Sequence, residues 1–290
     1  MPTYSSNRPE RRAVAQSLRR LVPVSIAVSD ALGATAPSGI LERDESRRIN
    51  EASRLVQLHH AVATDHLAAF AGLLNLPGSH GPSVAAVERS LLETWGRIWW
   101  ILGAHTALAA EYRARAMIVA ELEAGDRRGI QMLSAESISD AIARASRARD
   151  EIPPIEPSES VPGPTSLVTN FLQQSGVAPR DFRAVYSHLS GVSHGESVFT
   201  ESLTELPGLA AVRTPVIVLP SDNLGKYSAT VWGATLIGTS RLMGTWGLDS
   251  GIRDAFIQKA TEVGAQLDSG DPPTTRSSTS NSARRRTKRR

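Results

Sequence analysis

The chain contains no cysteine, which excludes a disulfide framework, a thiolate-held zinc or iron–sulfur centre, and thiol catalysis. Lysine is nearly absent too: Lys226, Lys259 and Lys288 are the only three among 32 basic residues. Arginine therefore supplies almost all the positive charge, and a single arginine says little about phosphate binding. Long apolar runs are missing. The uncharged apolar stretches Ile98–Ala110 and Tyr227–Ser240 span 13 and 14 residues, against the ~20 needed to cross a bilayer. The first twenty residues hold no apolar run of signal-peptide type, so the expectation is a cytoplasmic protein without membrane contact. There is no Gly-x-Gly-x-x-Gly or Walker loop, and none of the seven histidines forms a His-x-x-x-His pair. Neither a metal nor a cofactor is expected.

What is present is a 290-residue chain that is 41% hydrophobic, enough for one large domain or two small ones. Its net charge of +3 averages two unlike parts. Residues 276–290 carry seven positive charges and no acid, and removing them leaves the rest of the chain at −4. Six of the seven (Arg284, Arg285, Arg286, Lys288, Arg289 and Arg290) crowd the last residues. From Ser269 onward Ser, Thr, Pro and Arg dominate, so a disordered basic tail is expected, able to attract RNA or another acidic partner.

The body reads as helical by its period. Leu55, Leu58, Val62, Leu67, Phe70, Leu73 and Leu74 recur along 45–74 until Leu76-Pro77-Gly78. Pro82-Ser83 opens a second helix, with Val84, Val87, Leu91, Trp95, Ile98 and Leu102 on one stripe. Further helices are expected over 105–123, stopping before Gly125-Asp126, and over 135–150, 167–174 and 180–194. Asn223 is a candidate cap for a helix through Met243, and a last helix spans 248–267. Five prolines in 152–166 mark a loop, while β-branched 212–219, broken by Pro215, reads as an edge strand or extended segment. The spacing predicts an all-α antiparallel bundle, with one short extended or hairpin segment near 198–219. Residues 1–40 read as an N-terminal extension, 41–268 as one helical domain and 269–290 as the tail.

Two constellations stand out. Arg89 and Glu93 are spaced i,i+4 and can pair on one helical face, just ahead of Trp95, Trp99 and Trp100. Trp95 and Trp99 are expected in the core. The second is Arg180–Glu196, RDFRAVYSHLSGVSHGE. With Arg183 set at zero, Tyr186, Ser190 and His194 fall at about −60°, −20° and +20° on the helical wheel, and His188 at about +140°. Phe182, Val185, Leu189 and Val192 take the other side. The stripe is either a solvated or internally hydrogen-bonded face, or one wall of a polar groove. Arg183 and His194 stand roughly 16 Å apart along the axis, too far to grip one small group, whereas Ser190 and His194 are one turn apart. Gly195 is placed to stop the helix just after His194.

Arg89-x-x-x-Glu93 on an early helix, with Tyr186-x-x-Leu189-Ser190-x-x-x-His194-Gly195 on a late one, resembles a group of little-characterised bacterial all-α proteins near the HEPN superfamily. The resemblance covers residues 45–200. It implies an antiparallel helical bundle, often dimeric, so a homodimer is expected. In active HEPN proteins an Arg, then four to six residues, then a His form a metal-independent ribonuclease site across the dimer interface. The His handles protons at the ribose 2′-hydroxyl and the Arg holds the scissile phosphate. Arg183 and His188 fit that spacing here, with His194 as the other candidate. With 29 arginines and seven histidines, chance supplies about two such pairs over the three allowed spacings. The leading expectation is therefore an RNA- or protein-binding module whose groove holds Arg89, Glu93, Tyr186, Ser190 and His194. A metal-independent endoribonuclease of a defence or toxin system, using Arg183, His188 and His194, is the alternative.

Overall fold

In the computed structural model, residues 8–42, 50–130, 136–153, 160–178, 180–205 and 216–269 are described. Helices α1 (Arg8–Arg19) and α2 (Leu21–Ala34) lead to a 3-10 turn at Gly39–Leu41. Then come α3 (Glu51–Asn75), α4 (Gly81–Leu102), α5 (Ala107–Arg127), α6 (Ile138–Asp150), α7 (Pro164–Ser175), α8 (Phe182–Ser193) and the short α9 (Ser197–Glu201). A two-residue hairpin, β1 (Thr204–Glu205) against β2 (Val216–Ile217), precedes α10 (Ser221–Trp246) and α11 (Ser250–Ser269). The fold is all-α, and the antiparallel pairs Thr204–Ile217 and Glu205–Val216 form the small extended piece anticipated near 198–219.

Local chemistry sets the helix starts. The Asn50 side chain accepts from the Ser53 N–H at 3.0 Å, Thr106 from Ala109 at 3.1 Å, and Ser137 from Asp140 at 3.1 Å. Each satisfies one of the donors left open in a first turn. Pro82 and Pro164 occupy first-turn positions of α4 and α7, where the missing N–H costs nothing. The Pro-rich segment is therefore shorter than its composition suggests, because its final proline starts a helix. Asn223 is not a cap either: α10 begins two residues earlier, after Pro220. Gly125 and Asp126 do not stop α5, which runs on to Arg127.

Residues 8–41 are no extension. Ala15, Leu18, Leu21, Val28, Leu32 and Leu41 are all buried, α1 and α2 pack on α3, and α2 also packs on α11. One of its partner faces, α11, lies more than two hundred residues away in the sequence.

The core is built around α4, which contacts α3, α5, α7, α8 and α10. Trp95 is fully buried, edge-on to His60 of α3 at 5.9 Å between ring centroids. Its ring lies so close to α10 that a Cβ at Gly238 would overlap it. Trp99 is only partly buried. Its Nε1 donates to Gln174 at 2.9 Å, and the Arg241 guanidinium covers its ring at 3.9 Å. Among the described residues, no helix is long and apolar enough to cross a membrane.

Candidate functional site

Two helices far apart in sequence bring the site together. On α4, Arg89 and Glu93 lie one turn apart, and the Arg89 Nε donates to Glu93 Oε1 at 2.8 Å. On α8, Tyr186, Ser190 and His194 follow at successive turns. The Tyr186 hydroxyl donates to the same Glu93 oxygen at 3.0 Å, and Arg89 Nη1 lies 3.2 Å from His194 Nε2. The guanidinium also rests over the Tyr186 ring, 5.8 Å from its centroid. Arg89, Glu93, Tyr186 and His194 thus form one connected cluster across the α4–α8 contact.

The electrostatics are mutually consistent. Burial opposes the Arg89 charge, but Glu93 and Tyr186 together outweigh it and hold the guanidinium above its ordinary pKa. Burial, then the Glu93 charge, push the Tyr186 phenol above its usual value, against the pull of Arg89. Tyr186 therefore stays protonated and serves as a donor. Glu93 is the hub, with two donors on one oxygen.

Gly195 positions the last member. Its φ of +70° is left-handed backbone that favours glycine, and it closes α8 through Gly195 N–H to Val192 O and Glu196 N–H to Gly191 O. The exposed His194 ring is thereby held at the helix end, facing Arg89. Ser190 is half-buried between Tyr186 and His194, and its carbonyl accepts the His194 N–H at 3.0 Å.

The other candidates separate. Arg183 is exposed and stacks on the neighbouring Phe182 ring, 5.6 Å from its centroid. His188 faces away from the cluster, with its Nε2 2.6 Å from the Tyr227 hydroxyl on α10. Arg183, His188 and His194 accordingly do not assemble into one constellation within the chain. The tail residues Arg284, Arg285, Arg286, Lys288, Arg289 and Arg290 lie outside the described residues. Among the described residues no group of three or more metal-ligating side chains converges.

Sequence reasoning missed Glu88. Its side chain is fully buried, neither carboxyl oxygen has a protein hydrogen-bond partner, and burial raises its pKa well above the ordinary carboxyl value. It lines a cavity of about 830 Å³ with Val177, Ala178, His188, Leu189 and Tyr227. The signal was there: Glu88 sits four residues after Val84 and three before Leu91, an acid in core register on an apolar stripe.

No family model, curated protein or solved structure matches the chain.

Proposed function

We propose that the protein is a HEPN-like, non-catalytic RNA-binding module whose recognition surface is the α4–α8 polar face. One observation carries the reading: Glu93 fixes Arg89 beside the exposed ring of His194. A guanidinium clamped by a carboxylate has already lost much of its rotamer freedom, so donating to a phosphate costs less ordering. The exposed Arg183 one turn away from Tyr186 adds positive charge to the same side of α8. The basic tail would supply sequence-independent attraction, and a homodimer would double the surface.

The test is binding of a labelled mixed-sequence RNA, single-stranded and hairpin, to the full chain across a salt series. Arg89→Ala combined with His194→Ala is expected to weaken binding about tenfold at low salt and less as salt rises. Arg284→Ala with Arg285→Ala and Arg286→Ala should instead flatten the salt slope by about 0.7–0.9 for each phosphate no longer neutralised. Unchanged affinity in the folded Arg89/His194 variant overturns the groove reading, and failure to bind RNA at low salt overturns the RNA assignment.

RNA cleavage is the second reading, favoured by the same Arg89–His194 pair rather than by Arg183 or His188. In that reading His194 would accept the proton as the ribose 2′-oxygen attacks phosphorus, the P–O5′ bond would break with the 5′-oxygen taking a proton from water, and Arg89 would hold the phosphate. Incubation with RNA in EDTA decides it. Fragments ending in 2′,3′-cyclic phosphate, absent with His194→Ala, would establish cleavage, and intact RNA would leave binding alone.

A further inference from the structure

Glu88 and the cavity beside it take no part in the face described above. A carboxyl group removed from water with both oxygens unsatisfied is costly, and such groups are few in folded proteins. Here the unsatisfied group borders a hollow of about 830 Å³, within the range that holds a small molecule. The remaining interior lining is largely apolar, from Val177, Ala178, Val185 and Leu189. The polar groups near Glu88 already have partners: His188 and Tyr227 bond each other at 2.6 Å, and Asn223 also bonds the Tyr227 hydroxyl. Charged Arg180, Asp181 and Lys226 are exposed at the rim.

We propose that this cavity is a binding site for a small ligand with an apolar ring body and an amidinium- or guanidinium-like edge, held by Glu88. Both Glu88 oxygens are unpartnered and lie without accessible surface at the cavity wall; turned toward the hollow, the carboxylate would match two parallel N–H donors, the bidentate geometry that makes such pairs strong. The apolar walls suit a ring, and the cation of the ligand supplies the charge that the pocket lacks.

The charges around Glu88 sharpen the expectation. Burial, then the Lys226 charge, keep His188 below its ordinary pKa. Burial, together with the neighbouring Glu88 charge, raises the Tyr227 phenol against the hydrogen bond from Asn223. Both are neutral near pH 7, so neither offers Glu88 a counter-charge from α8 or α10. Lys226, Arg180 and Asp181 remain at the solvated rim. Burial in the empty pocket thus biases Glu88 toward the neutral acid, and a bound cation favours release of its proton. Binding should release a proton and tighten as pH rises, so long as the ligand itself stays protonated.

The experiment uses the full chain with benzamidine and 2-naphthamidine as probes, benzamide as the neutral isostere and benzoate as the anion, read by calorimetry and ligand-observed NMR. The amidines are expected to bind, naphthamidine more tightly because it fills more apolar wall. Benzamide should bind about tenfold more weakly or worse. Calorimetry in two buffers of unlike ionisation enthalpy should report a proton released on binding. Glu88→Gln should lose about tenfold in amidine affinity together with the proton release. Ala229→Trp, at an exposed position on the cavity lining, should block binding while leaving Glu88 in place. Circular dichroism confirms that both variants are folded. No amidine binding up to about 10 mM, equal affinity for Glu88→Gln, or a preference for benzoate would each overturn the proposal. RNA binding by the Glu88→Gln chain should be unchanged, which separates this site from the α4–α8 face.

Discussion

Glu88 and Glu93 stand five residues apart on one helix, yet they have opposite surroundings. Glu93 receives Arg89 from its own helix and the Tyr186 hydroxyl from α8, both on one oxygen. Glu88 receives nothing from the protein and is pushed toward the neutral acid. Part of the difference lies in α4 itself, which sets Arg89 one turn from Glu93. The rest arises because α8 sends Tyr186 to that side of α4, and His188 to the other, where Tyr227 already engages it. An acid in a helical core is therefore defined by what the neighbouring helix brings.

The largest expected effect contrasts buried groups whose pH responses have opposite signs. Burial lowers the His60 pKa to about 4, so its contribution to stability is full above 6.5 and lost as pH falls through about 4. Glu88 runs the other way: its contribution is full below 4.5 and drains as pH rises through its elevated folded value. His60→Phe should flatten the acid limb of the stability profile by about 3 kcal/mol between pH 7 and 4. Glu88→Gln should remove the decline in stability that starts at pH 4.5 and runs up to the elevated folded value of Glu88. Urea denaturation over pH 4–8 checks both, and an unchanged profile above pH 4.5 in Glu88→Gln would mean that Glu88 is not the buried acid described.

Next in size is Glu93→Ala, which strands both Arg89 and Tyr186. Breaking a well-buried pair costs about 3–5 kcal/mol, but Arg89 and Glu93 retain about a fifth of their side-chain exposure. Solvent screening brings the expectation down to about 2 kcal/mol. Tyr186→Phe removes one donor and keeps the ring under Arg89, so it should cost about 1 kcal/mol. The Glu93–Tyr186 double-mutant cycle should show coupling, whereas Glu93 with Glu88 should be additive. Coupling between the two acids would collapse the contrast into a single site.

How much of this was legible beforehand differs between the two sides. Arg89-x-x-x-Glu93 and Tyr186-x-x-x-Ser190-x-x-x-His194 are local periodicities, and a helical wheel displays each. Their meeting was conceivable because each stripe was polar where an apolar stripe was otherwise required. The Glu88 cavity could not be drawn that way. Its walls come from α4, α8, α10 and the turn after α7, and none of those segments is unusual alone. Only the acid between Val84 and Leu91 hinted at it. The same reason explains the misjudged N-terminal segment and the Asn223 cap. Tertiary packing decided which face of α1 and α2 was buried, and Pro220, extended ahead of Ser221, fixed the start of α10 before Asn223 was reached.

The smallest expected effect is the most diagnostic. His194 is exposed, and its ring contacts Arg89 from the end of α8 rather than from the core. Its removal should change stability by no more than about 0.5 kcal/mol, as for ordinary surface positions. Glu93 and Tyr186 would still hold Arg89 in place. A residue with so little structural work that nevertheless weakens RNA binding when removed must act on the ligand directly. His194→Ala should therefore leave the urea midpoint in place while lowering RNA affinity several-fold, and His194→Gln, which keeps a polar side chain, should recover part of that affinity. If instead stability and affinity fall together, His194 is a packing residue. The polar face would then be a helix-to-helix clamp, of one kind with the buried contacts on the opposite side of α4.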